Sequence, residues 1–273
     1  MRLSIRHTTR YRFDRPVAYS LQRLRLTPKA TQGQVIVGWG MKYDGVREEL
    51  AYEDQHRNIV TLVSVEEGAE EVAITCQGDV MTRDGDGIIG RHSGHLPLWA
   101  FLQQTPLTQP GPAMQLLADA AGQSGGDRIG MLHGLSARIL DQVSYATGAT
   151  DARTTAEEAC AARQGVCQDH AHIFIGVARS LGIPVRYVSG YLMMNDRVEQ
   201  EATHAWAEAF VEGLGWVGFD IANGISPDAR YVRVATGRDY REAAPILGIS
   251  FGATTSDTTV EVLVAQQQEG QQQ

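Results

Sequence analysis

Cys167, His204 and Asp220 fall on three elements that the residue pattern predicts: a helix, a strand that comes after an intervening strand over 185–192, and the next strand. Residues 164–182 read Gln-Gly-Val-Cys-Gln-Asp-His-Ala-His-Ile-Phe-Ile-Gly-Val-Ala-Arg-Ser-Leu-Gly. On a helical wheel, Ala171, Phe174, Ala178 and Leu181 lie within about 40° of Cys167. Cys167 therefore heads the apolar stripe of a buried helix, which Gly182 and Pro184 terminate. A thiol at such a place meets unpaired N–H groups and the positive end of the helix dipole. Both favour a thiolate, and the same N–H groups can hold an oxyanion on an attacked carbonyl. Taken alone, the helix is also compatible with a buried structural cysteine.

Residues 202–211, Ala-Thr-His-Ala-Trp-Ala-Glu-Ala-Phe-Val, alternate with period two and predict a strand. His204, Trp206, Glu208 and Phe210 share one face; Ala205, Ala207, Ala209 and Val211 share the other, small enough to pack closely against the cysteine helix. Gly213-Leu-Gly215 turns the chain, and Trp216-Val-Gly-Phe-Asp220 returns as a strand ending in a carboxylate. Nucleophile, base and orienter are the roles these three types supply together. A turn centred near residue 212 sets His204 opposite Asp220. One centred on the glycine pair sets Glu208 there, so Glu208 rivals His204 for that place and Asp220 for the role of orienter.

The same helix carries Asp169, His170 and His172, but His170 and His172 point about 200° apart and cannot share an ion. Cys167 and His170 alone are too few for zinc. His92 and His95 sit in a glycine-rich stretch and give no better site. No metal and no organic cofactor are expected.

The elements around this segment come in two styles. Through about residue 84 the period is two: Leu3, Ile5, His7, Thr9, Tyr11 and Phe13 on one face, then Leu24 and Leu26 between arginines, then Val35, Val37, Trp39, Met41 and Tyr43, then residues 58–66 and 72–77. Short alternating strands predict an antiparallel sandwich, with Cys76 in its core. Residues 84–94 hold four glycines and read as a linker. Helical spacing follows over 98–104, 113–121 and 128–145, with Thr154 or Thr155 and Glu157 or Glu158 able to form a capping box. The tail from Gln266 is glutamine-rich and is expected to be disordered.

The 273 residues carry a net charge of −8, with 43% hydrophobic and 21% charged residues. That composition excludes a disordered, collagenous or coiled-coil chain and argues against nucleic-acid binding through bulk charge. The first 30 residues are basic, with seven arginines and Lys29 against Asp14, and their alternation reads as a strand with a solvated arginine face. No apolar run approaches a membrane span of ~20 residues, and no secretory h-region is visible at the start. Three cysteines are too few for a disulfide framework. A cytoplasmic protein with free thiols is expected.

Four blocks in this order resemble the transglutaminase-like superfamily of papain-type cysteine enzymes: Gly165-Val-Cys-Gln-Asp-His-Ala171, Gly182-Ile-Pro-Val-Arg-Tyr-Val-Ser-Gly-Tyr-Leu192, His204-Ala-Trp-Ala-Glu208 and Gly215-Trp-Val-Gly-Phe-Asp220. His7-Thr-Thr-Arg-Tyr-Arg-Phe13, Pro16-Val-Ala-Tyr-Ser20 and Leu24-Arg-Leu-Thr-Pro28 are similar to the N-terminal sandwich of the bacterial branch. Residues 237–245 and 258–264 are similar to its end. The resemblance implies an α+β fold: an antiparallel β-sandwich over residues 1–90, a papain/transglutaminase-like core over 91–265, and a tail over 266–273. It also implies a Cys167–His204–Asp220 triad that transfers acyl groups from amide, peptide or thioester carbonyls.

By position, Tyr145 is the candidate oxyanion aromatic; Trp206, Glu208 and Tyr240, with Asp239, are candidates to line the cleft. Asp220-Ile-Ala-Asn223 departs from the family's Asp-Pro-Thr, which leaves the local loop open. A peptidase or amidase acting on a peptide or protein substrate is expected, with no nucleic-acid or membrane partner. A crosslinking transglutaminase and a non-catalytic binding module that keeps the fold are the alternatives.

Overall fold

A computed structural model describes residues 1–17, 19–123, 127–195, 198–200, 202–251 and 256–267. The fold is α+β. Seven strands come first: β1 (Arg2–Phe13), β2 (Tyr19–Thr27), β3 (Gln34–Asp44), β4 (Val46–Glu53), β5 (Ile59–Val65), β6 (Glu71–Thr82) and β7 (Ile88–Gly90). A 3₁₀ turn at Leu98–Leu102 leads into α1 (Pro112–Gly122) and α2 (Arg128–Gln142). Then come β8 (Ser144–Tyr145), α3 (Ala156–Ala162), β9 (Gln164–Gly165) and α4 (Cys167–Ser180). The chain continues through β10 (Val185–Leu192), β11 (Glu199–Gln200), β12 (His204–Val211), β13 (Gly215–Phe219), β14 (Tyr231–Gly237) and α5 (Tyr240–Ala243). It ends in β15 (Ile246–Phe251) and β16 (Ser256–Gln266).

Alternation drives β1 as expected: Leu3, Ile5, His7, Thr9 and Phe13 are buried while Arg6, Arg10 and Arg12 face solvent. It breaks in β3, where a bulge between Ile36 and Gly38 shifts the register. Val35 and Val37, expected on the apolar face, are therefore exposed. Two antiparallel sheets, β11-β16-β1-β6-β3 and β15-β2-β5-β4, make the sandwich. Phe13, Leu24, Leu26, Val63, Ile74 and Cys76 fill the space between them. The third sheet, β14-β10-β12-β13-β7, is antiparallel and belongs to the core.

Sheet membership does not follow a core running from 91 to 265. Strands β15 and β16 return to the N-terminal half, β15 beside β2 and β16 beside β1. Conversely, β7 lies inside the expected linker and pairs with β13. Gln266 closes β16, and Gln267 donates its backbone N–H to Arg2 O at 2.9 Å. The remainder of the expected tail, 268–273, lies outside the described residues. Among the described residues, no helix is long and apolar enough to cross a membrane.

Helix α4 is the centre of the core. Its Ala171, Phe174 and Ala178 share one apolar cluster with Ala205, Ala207 and Ala209 of β12, so the small-residue face of β12 lets the helix settle closely on the sheet. On its other side, Gly176 passes directly beneath the connection into α1. A Cβ there would lie 2.2 Å from Thr108 O and 2.5 Å from Met114 Cε. The backbone carbonyl cannot retreat, because Arg179 holds this connection through Gln103 O at 3.0 Å and Thr108 Oγ1 at 3.2 Å. Gly176→Ala is therefore expected to destabilise the protein by about 1–3 kcal/mol or more, read as a lower denaturation midpoint. A midpoint equal to wild type would show that the connection yields freely.

Candidate active site

Cys167 is the first residue of α4 and is half-buried. The turn before it is fixed by Asp169, whose Oδ2 accepts the Val166 N–H at 2.7 Å and the Thr150 hydroxyl at 2.6 Å. Burial raises the Asp169 carboxyl above its usual range against these donors. His170 is wholly buried, its ring nitrogens 2.9 Å from Val166 O and 2.9 Å from Val143 O. It thus ties the end of α2 to the start of α4. His172 is also buried and is pushed down to about 3 by burial. Its neutral Nε2 accepts the Tyr240 N–H at 3.1 Å, which anchors the start of α5.

The helix expected to run to Tyr145 stops at Gln142. Tyr145 instead sits on β8, which pairs in parallel with β9 just ahead of Cys167. This pairing and the stacking of Tyr145 on His170, with centroids 6.1 Å apart, hold its hydroxyl against Cys167. The hydroxyl shares the cleft with Cys167 and interacts with its backbone and thiol. Burial, then the charge of Cys167, raises its pKa.

The β12–β13 register pairs Glu208 with Gly218 and Val211 with Gly215. The turn therefore centres between the two positions weighed from the sequence. Continued one step, the register puts Asp220 opposite Trp206, on the same face as His204 and diagonal to it. His204 Nε2 donates to Asp220 Oδ2 at 2.6 Å. Burial alone would lower the pKa of His204. The hydrogen bond to Asp220, the Cys167 thiol and the charges of both prevail and push it up to about 10. Asp220 is fully buried, and burial would raise its pKa, but the bond and charge of His204, with Tyr231 and Asn223, hold it below its ordinary value.

The loop that departs from the family pattern supplies Asn223. Its side-chain amide donates to Asp220 Oδ2 at 2.7 Å and its backbone N–H to Oδ1 at 3.3 Å. From β14, the Tyr231 hydroxyl donates to the same Oδ2 at 2.7 Å.

Cys167, His204, Tyr145 and Tyr240 line one cleft of about 730 Å³, together with Tyr187 and Asn223. Trp206 and Glu208 do not line it. Trp206 is buried behind the imidazole, stacked on it at 6.2 Å and 27°. Glu208 is fully buried between arginines, with Arg186 Nε at 2.6 Å and Arg233 Nε at 2.8 Å. Asp239 is buried and caps α5. His92 bonds Leu96 O and Trp216, while His95 faces Glu53. Among the described residues, no three His, Cys, Asp or Glu side chains form a metal-binding group. Tyr187, Asn223 and Tyr231 were not singled out from the sequence. Asn223, three residues after Asp220, has the spacing of a local side-chain turn and could have been found; Tyr231 is brought in by a strand pairing with no local signal.

Residues 3–81 match the bacterial transglutaminase-like N-terminal region, and residues 117–221 match the transglutaminase-like superfamily core. The chain thus carries a transglutaminase-like core behind a bacterial transglutaminase-like N-terminal region. An uncharacterized protein of Mycobacterium leprae is 27% identical over 280 residues, covering 96% of this chain and 98% of its own length. One of Mycobacterium tuberculosis is 29% identical over 286 residues, covering 95% and 90%. The crystal structure of a candidate cysteine protease from Cytophaga hutchinsonii shares the fold. Its TM-score is 0.77 at 22% identity, over 97% of this chain and 90% of that one.

Proposed function

We propose that the protein is a cysteine-dependent acyl-transfer enzyme, a peptidase or amidase in which Cys167 is the nucleophile, His204 the base and Asp220 the orienter. The observation that carries this reading is His204 itself, bonded to Asp220 at 2.6 Å and lining one cleft with Cys167, whose thiol helps to raise the imidazole pKa. His204 takes the thiol proton, and the thiolate attacks the carbonyl carbon of a peptide or carboxamide. The oxyanion forms beside the Tyr145 hydroxyl and the N-terminus of α4. Its collapse breaks the C–N bond, and the leaving amine departs with the proton from His204. Water, deprotonated by His204, then opens the thioester and releases the acid. The match to the transglutaminase-like core, and the shared fold with a structure named as a candidate cysteine protease, support the same chemistry. A free thiol at Cys167 makes a reducing, cytoplasmic setting part of the proposal.

Sub-stoichiometric iodoacetamide followed by peptide mapping tests the nucleophile. Burial pushes Cys76 and Cys160 up to about 11, and both are buried in apolar clusters. Cys167 is expected to be alkylated first, and faster labelling of Cys160 would overturn the assignment. Offering a primary amine together with a peptide substrate separates water from amine as acceptor. Release of free acid marks a hydrolase, an isopeptide product a transglutaminase.

A further inference from the structure

Three donors meet on a single oxygen of Asp220: His204 Nε2 at 2.6 Å, Asn223 Nδ2 at 2.7 Å and the Tyr231 hydroxyl at 2.7 Å. An oxygen shared in this way gives less electron density to each donor than it would give to one alone. Tyr231 is 5% exposed, and its ring packs edge-on to Trp206 at 5.4 Å and against His204 at 6.0 Å. The hydroxyl is therefore locked in place. Burial, then the Asp220 charge, raises the phenol far above its usual range, so it stays a donor.

We propose that Tyr231 is a positioning residue of the triad, competing with His204 for Asp220 Oδ2 and so limiting how firmly the imidazolium is held. The consequence concerns the acid half of the cycle. An imidazolium gripped by an unshared carboxylate is a weaker acid toward the leaving amine; one whose carboxylate is shared gives up its proton more readily. The inference rests on the Cys167–His204–Asp220 reading. Cys167 from α4 and Tyr145 from β8 share the cleft with His204, as do Tyr187, Glu199 and Tyr240. Asp228 and Arg230, beyond Tyr231, neutralise one another at 2.7 Å. Trp206 and Asn223 are uncharged.

Tyr231→Phe keeps the ring and removes only the oxygen. The low-field proton resonance of His204 Nε2–H is expected to move further downfield, and the titration midpoint of His204 to rise by about one pH unit, a tenfold gain in proton affinity. The acid limb of Cys167 alkylation by iodoacetamide should move down by a similar amount, because the thiolate–imidazolium pair then persists to lower pH. Asn223→Ala removes the other competing donor and should shift all three readouts in the same direction. A purely structural role for Tyr231 would lower the melting temperature and leave resonance and titration in place, which overturns the proposal. So does an upfield shift with slower alkylation, since that would make Tyr231 a support for the His204–Asp220 bond and not a competitor. Failure of the underlying reading looks different: wild-type Cys167 would then show no preferential alkylation, whatever stands at position 231.

Discussion

Cys167→Ala is expected to abolish turnover, by on the order of 10⁶-fold, the scale seen when a triad nucleophile is removed. Among the described residues no other thiol lines the cleft, since Cys76 and Cys160 lie in the apolar clusters. His204→Ala should cost nearly as much, because members of such a unit do not contribute additively. Asp220→Ala comes next and Asp220→Asn costs least. The geometry explains that order. Asp220 Oδ2 takes three donors, whereas Oδ1 takes one long one, from Asn223 N at 3.3 Å. An asparagine can place its oxygen at Oδ2 and its NH₂ at Oδ1, keeping His204 oriented but losing the charge that stabilises the imidazolium.

The pH profile follows from the same arrangement. His204 is raised from 6.5 to about 10. Hydrolysis that needs the imidazolium as acid should hold through neutral pH and fall as pH rises through about 10. The stability His204 contributes is likewise complete below about 6.5 and lost as pH rises through about 10. Steady-state rates of the four variants on one peptide substrate check the order. Full activity in Cys167→Ala would end the cysteine-nucleophile reading.

Much of this site was legible in the sequence, because it depends on local periodicity. A 3.6-residue stripe put Cys167 at a helix start, and alternation put His204 on a strand beside a small-residue face. The fine register was not legible. The choice between turns centred on 212 and 214 was settled by a pairing centred between them, which makes His204 and Asp220 diagonal neighbours. Non-local pairing hid the rest. Arg25, read as part of a solvated arginine face, is buried against Asp54 at 3.3 Å, where a bulge between Leu24 and Thr27 interrupts the alternation of β2. Tyr145 read as the end of a helix, because nothing within 128–145 announces that β9 will pair with residues 144–145. The return of β15 and β16 to the sandwich is likewise set by partners more than 200 residues away.

Glu208→Ala is expected to be the most destabilising single change in the core sheet, at about 3–5 kcal/mol, or on the order of 10 °C in melting temperature. Glu208 is wholly buried on β12 and joins three strands: Arg186 of β10 lies directly across from it in register, and Arg233 reaches it from β14. Arg186 also stacks over the Trp216 ring at 3.9 Å, so it cannot swing out to water without unpacking that ring, and Arg233 is buried as well. Removing the carboxylate leaves two guanidinium groups buried with no counter-charge, and that penalty sets the magnitude, not the strength of the bonds lost. Burial would raise the Glu208 pKa, but Arg186 and Arg233 hold it below its ordinary 4.5. Its contribution is therefore present above about 4.5 and disappears as pH falls below that value, so wild type and Glu208→Ala should converge in stability under acid conditions. Glu208→Gln, which keeps the shape and one acceptor, should cost less. It also separates position from chemistry. With Asp220 as the partner of His204, Glu208→Gln should lower the melting temperature yet leave the His204 titration near about 10. A Glu208→Gln protein that melts like wild type but loses that elevated titration would return Glu208 to the role of orienter.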